Sequence, residues 1–419
     1  MSTQQEAMDL AGKGGNLFIT GGAGRGKSHV IKELYDSDTV LTAPTGIAAL
    51  NIGGATFHSV FSLPVGLISK KDETTVPFIM REIFQGGDVA RVIIDEIGNL
   101  RADALDLADK RLKLMSGSSK PFGGIQILGV GDLYQIEPVV SRREQMHFNH
   151  KYDTPFCFGA NCWDFETVAL TKNYRQTKGN QTEILDSIRT QDGNFLEAIV
   201  ALKEMALPYD RDADNIHLCS YNEDSDTIND KAYEKVEGDE VVFKGELSGD
   251  YNKDDTQVPP TLRLKKGVKV LIKANNTQQG YYNGTRGVVL DFCTDKDDRP
   301  AVAVELENGD TVIVSSFKWE KIKYKAKKGT LEKEISGTFK QIPLRLGYAI
   351  SMHSSQGLTL DNVAVNFGKG AFAHGMGYVS ITRVRDLEKM MFSKRQTTKQ
   401  FLKNFIIRED VKKFYARGG

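Results

Sequence analysis

The sequence predicts an α/β protein with two parallel-sheet domains and a small antiparallel β-module inserted in the second. Short apolar runs, such as residues 16–20 (NLFIT) and 91–95 (RVIID), end next to glycines or acids and alternate with helix-length segments such as residues 27–35. This order is typical of parallel sheets. Over residues 261–341 the pattern changes to apolar–polar alternation with NG turn pairs, which indicates antiparallel strands.

The length of 419 residues exceeds what one hydrophobic core usually supports, so we expect more than one domain. The predicted segments are 1–165 (first domain), 166–260 (second domain, first part), 261–342 (inserted β-module) and 343–419 (second domain, second part). Residues 237–260 are rich in Gly, Asp and Pro and are predicted to form a connector.

The composition excludes several classes of protein. The 55 basic and 55 acidic residues cancel, so any phosphate binding must be local. No apolar run approaches the roughly 20 residues of a membrane span and no targeting pattern is present, so we expect a cytoplasmic protein, in a bacterial nucleoid or a virus-infected host.

The cysteines are expected to be reduced thiols: Cys157, Cys162, Cys219 and Cys293. For His147 and His150 we favour a solvated loop over a metal site.

The segment GGAGRGKS (residues 21–28) matches the phosphate-binding loop GxxxxGK[ST], with a strand before it and a helix after it. Backbone N–H groups of such a loop surround the phosphates, Lys27 reaches the β- and γ-phosphates, and the Ser28 hydroxyl takes a magnesium position. The predicted nucleotide-binding residues here are Gly21, Gly22, Ala23, Gly24, Arg25, Gly26, Lys27, Ser28 and His29. The expected cofactors are ATP and Mg²⁺.

Two further strand ends supply chemistry. The run RVIIDE places Asp95 and Glu96 side by side. Asp95 is the expected magnesium ligand, and Glu96 the general base for the attacking water. Gln135, in GVGDLYQIEP, either bonds the γ-phosphate and the water or caps a turn, and its position alone leaves both alternatives open. Together these elements predict nucleoside-triphosphate hydrolysis.

The chain carries TAPTGIAALNIGGATFHS (residues 42–59), KPFGGIQILGVGDLYQIEPV (120–139), NYRQ (173–176), HSSQGLTLDNV (353–363) and SITRVR (380–385). In these motifs and their order, nearly the whole chain resembles the petite-integration-frequency (PIF) family of superfamily 1B DNA helicases, which is related to RecD-type enzymes. The resemblance implies two RecA-like domains with a Src-homology-type barrel inserted in the second. It also implies 5′→3′ translocation on single-stranded DNA and unwinding of duplex, driven by ATP-dependent opening and closing of the two domains.

The same resemblance assigns roles to individual residues. Gln5 is the expected adenine-reading glutamine, and Arg175 and Arg383 are the expected arginine fingers. The expected DNA contacts are Pro44, Thr45, Gly54, His58 and Ser59 in the first domain and His353, Ser355, Gln356 and Thr359 in the second. Residues 62–90 occupy the place of the family's strand-separating wedge, although their irregular sequence identifies no wedge residue.

Physical reasoning leaves some of these roles open. Small side chains in residues 42–59 allow a sugar-phosphate chain to approach closely. The alternative is that Phe57 and Phe61 belong to the core while His58 caps a helix. For Trp319 and Tyr324 we expect barrel core rather than DNA stacking. The lysine-rich stretches at residues 318–328 and 389–405 are either solvated faces or DNA tracks.

The sequence departs from the family pattern at three places. Arg25 replaces a threonine and either adds phosphate affinity or points to solvent. Ser354 stands where lysine is common, which removes one expected phosphate contact. Gly98 and Asn99 follow DEI where serine is usual, which puts the coupling between hydrolysis and the neighbouring domain in question.

Three other functions compete with the helicase hypothesis. A P-loop phosphotransferase would need an acceptor pocket and would not be stimulated by DNA. A remnant helicase would bind DNA without unwinding it, which the complete set of ATPase residues argues against. RNA is a further candidate substrate, because backbone recognition tolerates both nucleic acids. The expected partners are single-stranded DNA, forked or tailed duplexes and replication or repair proteins, and we expect a monomer.

Overall fold

The computed structural model describes residues 3–64, 66, 68–86, 88–174, 180–210, 215–253, 256–276, 278–327, 330–392 and 396–418. The α-helices are α1 (Thr3–Ala11), α2 (Lys27–Leu34), α3 (Gly46–Ile52), α4 (Phe57–Val60), α5 (Lys70–Thr74), α6 (Phe78–Gly86), α7 (Ala102–Ser116), α8 (Gln145–Lys151), α9 (Gln181–Thr190), α10 (Phe195–Met205), α11 (Asn222–Glu234), α12 (Met376–Ile381), α13 (Thr398–Leu402) and α14 (Glu409–Ala416).

The strands are β1 (Leu17–Thr20), β2 (Thr39–Ala43), β3 (Ala55–Thr56), β4 (Arg91–Asp95), β5 (Gln126–Gly131), β6 (Glu166–Ala169), β7 (Leu207–Pro208), β8 (Ile216–Cys219), β9 (Val241–Lys244), β10 (Glu246–Gly249), β11 (Thr261–Leu264), β12 (Lys269–Ile272), β13 (Arg286–Thr294), β14 (Pro300–Leu306), β15 (Thr311–Ser315), β16 (Phe317–Lys327), β17 (Thr330–Gln341), β18 (Leu344–Leu346), β19 (Ala349–Ser351), β20 (Val363–Asn366) and β21 (Met390–Phe392).

The first parallel sheet has the strand order β3-β2-β4-β5-β1-β6. Strands β1 and β5 are buried along their whole length, as expected for strands with helices on both faces. Their apolar side chains share a core with residues of α1 and α2. The strand register brings the carboxyl ends of β1, β4 and β5 to one edge, at Thr20, Asp95 and Gly131.

The second parallel sheet has the order β19-β8-β20-β21-β7. Strand β8 is buried throughout and lies between β19 and β20. The carboxyl ends of these three strands therefore meet at one edge, and the loops that follow them begin at Met352, Ser220 and Phe367. The loop after β19 carries the second group of predicted DNA contacts.

The antiparallel module is built on the sheet β15-β14-β13-β12-β18. Its core consists of β-branched and leucine side chains from these strands, with Leu262 and Leu264 of β11. Two smaller antiparallel sheets, β10-β17-β16 and β11-β9, accompany it. The predicted α/β class with an added antiparallel module is confirmed, but the predicted connector contains two strands, β9 and β10.

The chain divides into two compact units: unit 1 comprises Met1–Thr177, Lys321–Ile335 and Ile407–Gly419, and unit 2 comprises Lys178–Glu320 and Ser336–Ile406. The predicted boundaries differ from this division in three places. Strand β6 pairs with β1 and therefore belongs to the first sheet. Residues 321–335 and 407–419 group with unit 1 because side chains of both segments contact it, as described below. No helix among the described residues has the length and apolarity to cross a membrane.

Candidate nucleotide and nucleic-acid sites

The phosphate-binding loop connects β1 to α2, as the sequence predicts. Gly24 and Gly26 have φ values of +76° and +82°, a left-handed conformation that favours glycine. At Gly26 a Cβ atom would also lie 2.1 Å from Nε2 of Gln4. The Lys27 ammonium donates hydrogen bonds to the carbonyl oxygens of Gly21 and Gly22, at 2.8 and 3.1 Å. The lysine side chain therefore bonds its own loop in this structure. The same loop is predicted to surround the phosphates that Lys27 would bind.

The other side chains of the loop differ in exposure. Ser28 and His29 are exposed, and the His29 imidazole lies 3.9 Å from Glu33. Arg25 is only 8% exposed, so the alternative that it points to solvent is wrong.

The glutamine nearest the phosphate-binding loop is Gln4. Its amide donates to the Gly26 carbonyl at 3.3 Å and accepts from the Tyr174 hydroxyl at 3.0 Å. Gln5 is exposed, and its amide bonds Asp9 one helical turn later. Neighbouring residues of a helix point about 100° apart, so only one of the two reaches the loop. In this structure Gln4, rather than Gln5, contacts the phosphate-binding loop, and the adenine-reading role of Gln5 stays a prediction.

The adjacent acids lie at the carboxyl end of β4. Asp95 Oδ1 accepts a hydrogen bond from the Glu96 backbone N–H at 2.9 Å, and Glu96 has a φ of +50°. Burial, reinforced by the negative charge of Glu96, raises the pKa of Asp95 to about 7, and the Lys27 cation acts in the opposite direction. This interaction places the acid pair and the phosphate-binding loop in one electrostatic site.

The donor set suits magnesium. The buried carboxylate of Asp95 and the exposed hydroxyl of Ser28, at the start of α2, are the kind of oxygen ligands that Mg²⁺ prefers. Protein sites for Mg²⁺ commonly use one or two side chains and leave the remaining positions to phosphates and water. Asp95 and Ser28 would be those two side chains. The described residues contain no cluster of three His, Cys, Asp or Glu able to hold a metal by itself.

Gln135 follows β5 in a turn at the same sheet edge. Its backbone N–H donates to the Asp132 carbonyl at 3.1 Å, and its side chain is 7% exposed. This turn packs tightly on the turn after Asp95, because a Cβ atom at Gly98 would lie 3.1 Å from the Asp132 carbonyl oxygen. The close packing explains glycine at position 98, and it brings the acid pair and Gln135 together.

Of the two predicted arginine fingers, the structure describes only Arg383. Arg175 lies outside the described residues. Arg383 is 3% exposed, and its guanidinium donates to the carbonyl oxygens of Val379, Ser355 and Leu358 at 2.9, 3.1 and 3.3 Å. In this structure Arg383 stabilises the loop after β19, and its role toward ATP stays a prediction.

Residues 42–59 contain both core and exposed positions. A Cβ atom at Gly54 would lie 2.4 Å from the Leu41 carbonyl oxygen, so Gly54 is required by packing on β2 and is not available to DNA. The Thr42 hydroxyl bonds the Ile93 carbonyl. Thr45 is exposed and caps α3, while Pro44 is half-buried. The face that remains for a nucleic acid therefore contains Pro44 and Thr45.

The last residues of the segment 42–59, with Phe61 just beyond it, test the alternative that Phe57 and Phe61 belong to the core. Phe57 and Phe61 are fully buried, with ring centroids 4.5 Å apart. Ser59 is exposed, and its hydroxyl donates to the Thr56 carbonyl at 2.8 Å. His58 is half-buried. Burial, with the nearby Arg101 cation, lowers the pKa of His58, so the imidazole is neutral at pH 7.

In the second group of predicted DNA contacts, Ser355 is fully buried and its hydroxyl donates to the Met352 carbonyl at 2.7 Å. Ser355 therefore stabilises the turn and does not face DNA, which corrects the prediction. Ser354 is the exposed serine. Gln356 Nε2 is buried and has no hydrogen-bond partner within the described part of the chain. Thr359 is half-buried, and its carbonyl lies against the turn at Gly284.

An exposed aromatic cluster lies at the same edge and was missed in the sequence. Phe372 is 55% exposed. Its ring lies 4.9 Å from Tyr221 and 6.1 Å from His353, nearly parallel to the imidazole at 22°. These residues follow β20, β8 and β19, three neighbouring strands, and no short motif joins them. Their distance in the sequence is why sequence patterns could not identify the cluster.

Trp319 and Tyr324, which were both predicted to belong to the barrel core, pack against different parts of the structure. Trp319 of β16 is buried against Phe339 of β17, with ring centroids 5.3 Å apart, in the small sheet β10-β17-β16 and outside the barrel core. Tyr324 is also buried, but it contacts unit 1: its hydroxyl accepts from the Leu41 N–H at 2.8 Å. Nearby, the Lys333 ammonium donates to the Gly53 carbonyl at 2.7 Å. Tyr324 thus contacts β2 at the start of residues 42–59 and is not part of the barrel core.

The fold and the site define a P-loop nucleotide-binding protein built on two parallel sheets. The model of the PIF1-like helicase family matches residues 2–206. A curated relative named ATP-dependent DNA helicase Pif1 from Bdellovibrio bacteriovorus is 30% identical over 91% of this chain and 85% of its own length. The same-named relative from Psychrobacter sp. is also 30% identical, over 92% of this chain, but this chain spans only 66% of its length. The chain belongs to the PIF1-like helicase family.

Solved structures agree with this assignment. Unliganded Pif1 from Bacteroides sp. superposes with a TM-score of 0.86 at 31% identity, covering 100% of this chain and 96% of that one. The complex of the Bacteroides protein with ADP-AlF4 gives 0.86 at 30% identity with the same coverage. Bacteroides Pif1 bound to single-stranded DNA gives 0.68 at 30% identity, again with the same coverage. These neighbours identify the two parallel-sheet domains as RecA-like.

Proposed function

We propose that this protein is an ATP-dependent DNA helicase that moves 5′→3′ on single-stranded DNA. The observation that carries the proposal is the convergence of the phosphate-binding loop, the Asp95–Glu96 pair and the Gln135 turn at one sheet edge, with Lys27 and Asp95 in electrostatic contact. The family relationship supports the substrate class, and the direction rests on the resemblance of the sequence motifs to superfamily 1B helicases. ATP-driven movement of the two RecA-like domains powers translocation.

Each residue of the nucleotide site has a role in this reaction. Lys27 leaves the Gly21 and Gly22 carbonyls to bind the β- and γ-phosphates. Ser28 and Asp95 would hold Mg²⁺, which would supply neutralisation of phosphate charge. Glu96 accepts a proton from the attacking water, and Gln135 orients that water.

Arg383 stays the proposed arginine finger, a role that the family resemblance supports. In the present structure its guanidinium bonds carbonyl oxygens on either side of Gln356, in the loop that carries the predicted DNA contacts of unit 2.

The experiment that tests the proposal is strand displacement with ATP and Mg²⁺ on matched duplexes bearing either a 5′ or a 3′ single-stranded tail. Unwinding of the 5′-tailed duplex alone supports both the activity and the direction. Unwinding from the 3′ tail keeps the motor and overturns the direction. Equal ATPase stimulation by RNA would widen the substrate class, and ATPase without stimulation by any nucleic acid would favour a phosphotransferase.

The exposed aromatic cluster is proposed to stack on DNA bases. We expect Phe372→Ala to weaken single-stranded DNA binding by about 5- to 150-fold, since base–aromatic stacking contributes about 1–3 kcal/mol per base. Fluorescence anisotropy with a labelled oligonucleotide measures this. Leu196→Ala, which removes another half-exposed apolar side chain of unit 2, is the matched control. Equal affinity for both variants would remove the cluster from the DNA path.

For His58 we expect a neutral contact. Because burial lowers its pKa below the ordinary value, the neutral imidazole predominates at pH 7 and above. His58→Ala should therefore weaken single-stranded DNA binding by about 5-fold or more, by the same factor at pH 7 and pH 8.5. Anisotropy titrations at both values, with exposed His150→Ala as control, test this. A factor that rises steeply toward pH 7 would indicate a cationic contact and contradict the expectation.

A further inference from the structure

The last described helix, α14, belongs to unit 1 and packs on the rest of that unit through an aromatic side chain. The Phe414 ring lies 4.6 Å from Phe158, 5.8 Å from Trp163 and 6.1 Å from Phe18, measured between centroids. Phe18 belongs to β1, the strand that leads into the phosphate-binding loop. The docking is therefore a core contact of the first sheet, and it is one of several contacts that hold the helix.

The next residue, Tyr415, contacts two parts of the nucleotide site. Its hydroxyl lies 2.7 Å from Oγ1 of Thr20, the residue immediately before Gly21. Its ring is parallel to that of Tyr134, with an angle of 7° and centroids 4.9 Å apart. Thr20 is 1% exposed and Tyr134 is 5% exposed, so both contacts are made inside the protein.

A third contact comes from the residue that precedes the helix. Arg408 forms an ion pair with Glu137 at 3.2 Å and is itself held by Asp410 at 2.8 Å. Gln135 thus lies between two residues, Tyr134 and Glu137, that are both held by the segment carrying α14. The same segment holds the end of β1 through Thr20.

We propose that Tyr415 is a positioning residue for ATP hydrolysis. Its hydroxyl fixes the entry to the phosphate-binding loop, and its ring fixes the turn that presents Gln135. The inference rests on the function proposed above for these two elements. Tyr415 would act through these two elements, because a displacement of about 1 Å of the groups that position the reactants can cost about 10²-fold in rate.

The bond of Tyr415 to Thr20 and its stacking on Tyr134 can be removed separately. Tyr415→Phe keeps the ring and loses the bond to Thr20; we expect KM for ATP to rise by about 3-fold with kcat within about 2-fold, because one hydrogen bond contributes about 0.5–1.5 kcal/mol. Tyr415→Leu also removes the stacked pair, and we expect kcat of the DNA-stimulated ATPase to fall by about 10-fold. Thr20→Val combined with Tyr415→Phe should behave like either single variant, because all three lack the same bond.

Controls distinguish positioning from stability. Phe414→Leu weakens the docking of the same helix, so we expect it to lower the melting temperature while leaving kcat and KM within about 2-fold well below that temperature. An equal loss of kcat in Phe414→Leu and Tyr415→Leu would overturn the positioning role, as would wild-type kcat and KM in both Tyr415 variants. Lys27→Ala and Gln135→Ala are measured alongside. If those two keep wild-type turnover, the proposed nucleotide site fails, and the role of Tyr415 fails with it.

Discussion

Lys27→Ala is expected to abolish DNA-stimulated ATP hydrolysis, lowering kcat by about 10³-fold or more, and to leave single-stranded DNA binding within about 2-fold of wild type. The large effect follows from the loss of a cation that acts on the charge of the transferring phosphoryl group, where such stabilisation is the main source of catalysis. In the present structure the Lys27 ammonium bonds the backbone carbonyls of Gly21 and Gly22. Phosphate release and oligonucleotide anisotropy measure the two properties.

Lys32→Ala is the matched control, because Lys32 is an exposed lysine of the same helix, α2. It should keep wild-type turnover and affinity. Loss of DNA binding in Lys27→Ala with ATPase retained would overturn the assignment of the phosphate-binding loop. Loss of both properties together with a lower melting temperature would show that the lysine stabilises the loop, and the catalytic role would then be unsupported by this variant.

The nucleotide site was largely predictable from the sequence because its residues are contiguous. A glycine-rich loop between a strand and a helix, and an acid pair at a strand end, each carry their geometry in a few adjacent letters. The structure places both at one edge of one sheet. Which of Gln4 and Gln5 contacts the phosphate-binding loop was not predictable. It depends on how α1 is rotated relative to Gly26, and a local sequence pattern does not contain that information.

Two residues that were predicted to contact DNA are buried in the structure. Gly54 and Ser355 lie within motifs that also contain exposed residues, and the sequence does not say which neighbour faces inward. Gly54 packs against the Leu41 carbonyl, and Ser355 closes its own turn. Tyr324 and Tyr415 illustrate a further limit. Both contact unit 1 from positions more than 280 residues away in sequence, so only the folded chain brings them together.

Glu96→Gln is expected to lower kcat by about 10²- to 10⁴-fold, which is the range contributed by general acid–base catalysis. Glutamine preserves the size of the side chain and removes its ability to accept a proton. ATP affinity should be retained or improved, because the amide no longer repels the phosphates and no longer opposes ionisation of Asp95, whose pKa the Glu96 charge helps to raise. Single-turnover hydrolysis and binding of a fluorescent ATP analogue separate these two effects.

The matched control is Glu166→Gln, an exposed acid on β6 at the edge of the same sheet, which should leave both properties unchanged. Retained turnover in Glu96→Gln would assign the proton to another acceptor, and would remove Glu96 from the mechanism. A loss of ATP binding as large as the loss of kcat would indicate that Glu96 supports the site rather than the chemical step. Unchanged binding with slow hydrolysis should trap the ATP-bound protein on single-stranded DNA, because the nucleotide then persists while the DNA contacts remain intact.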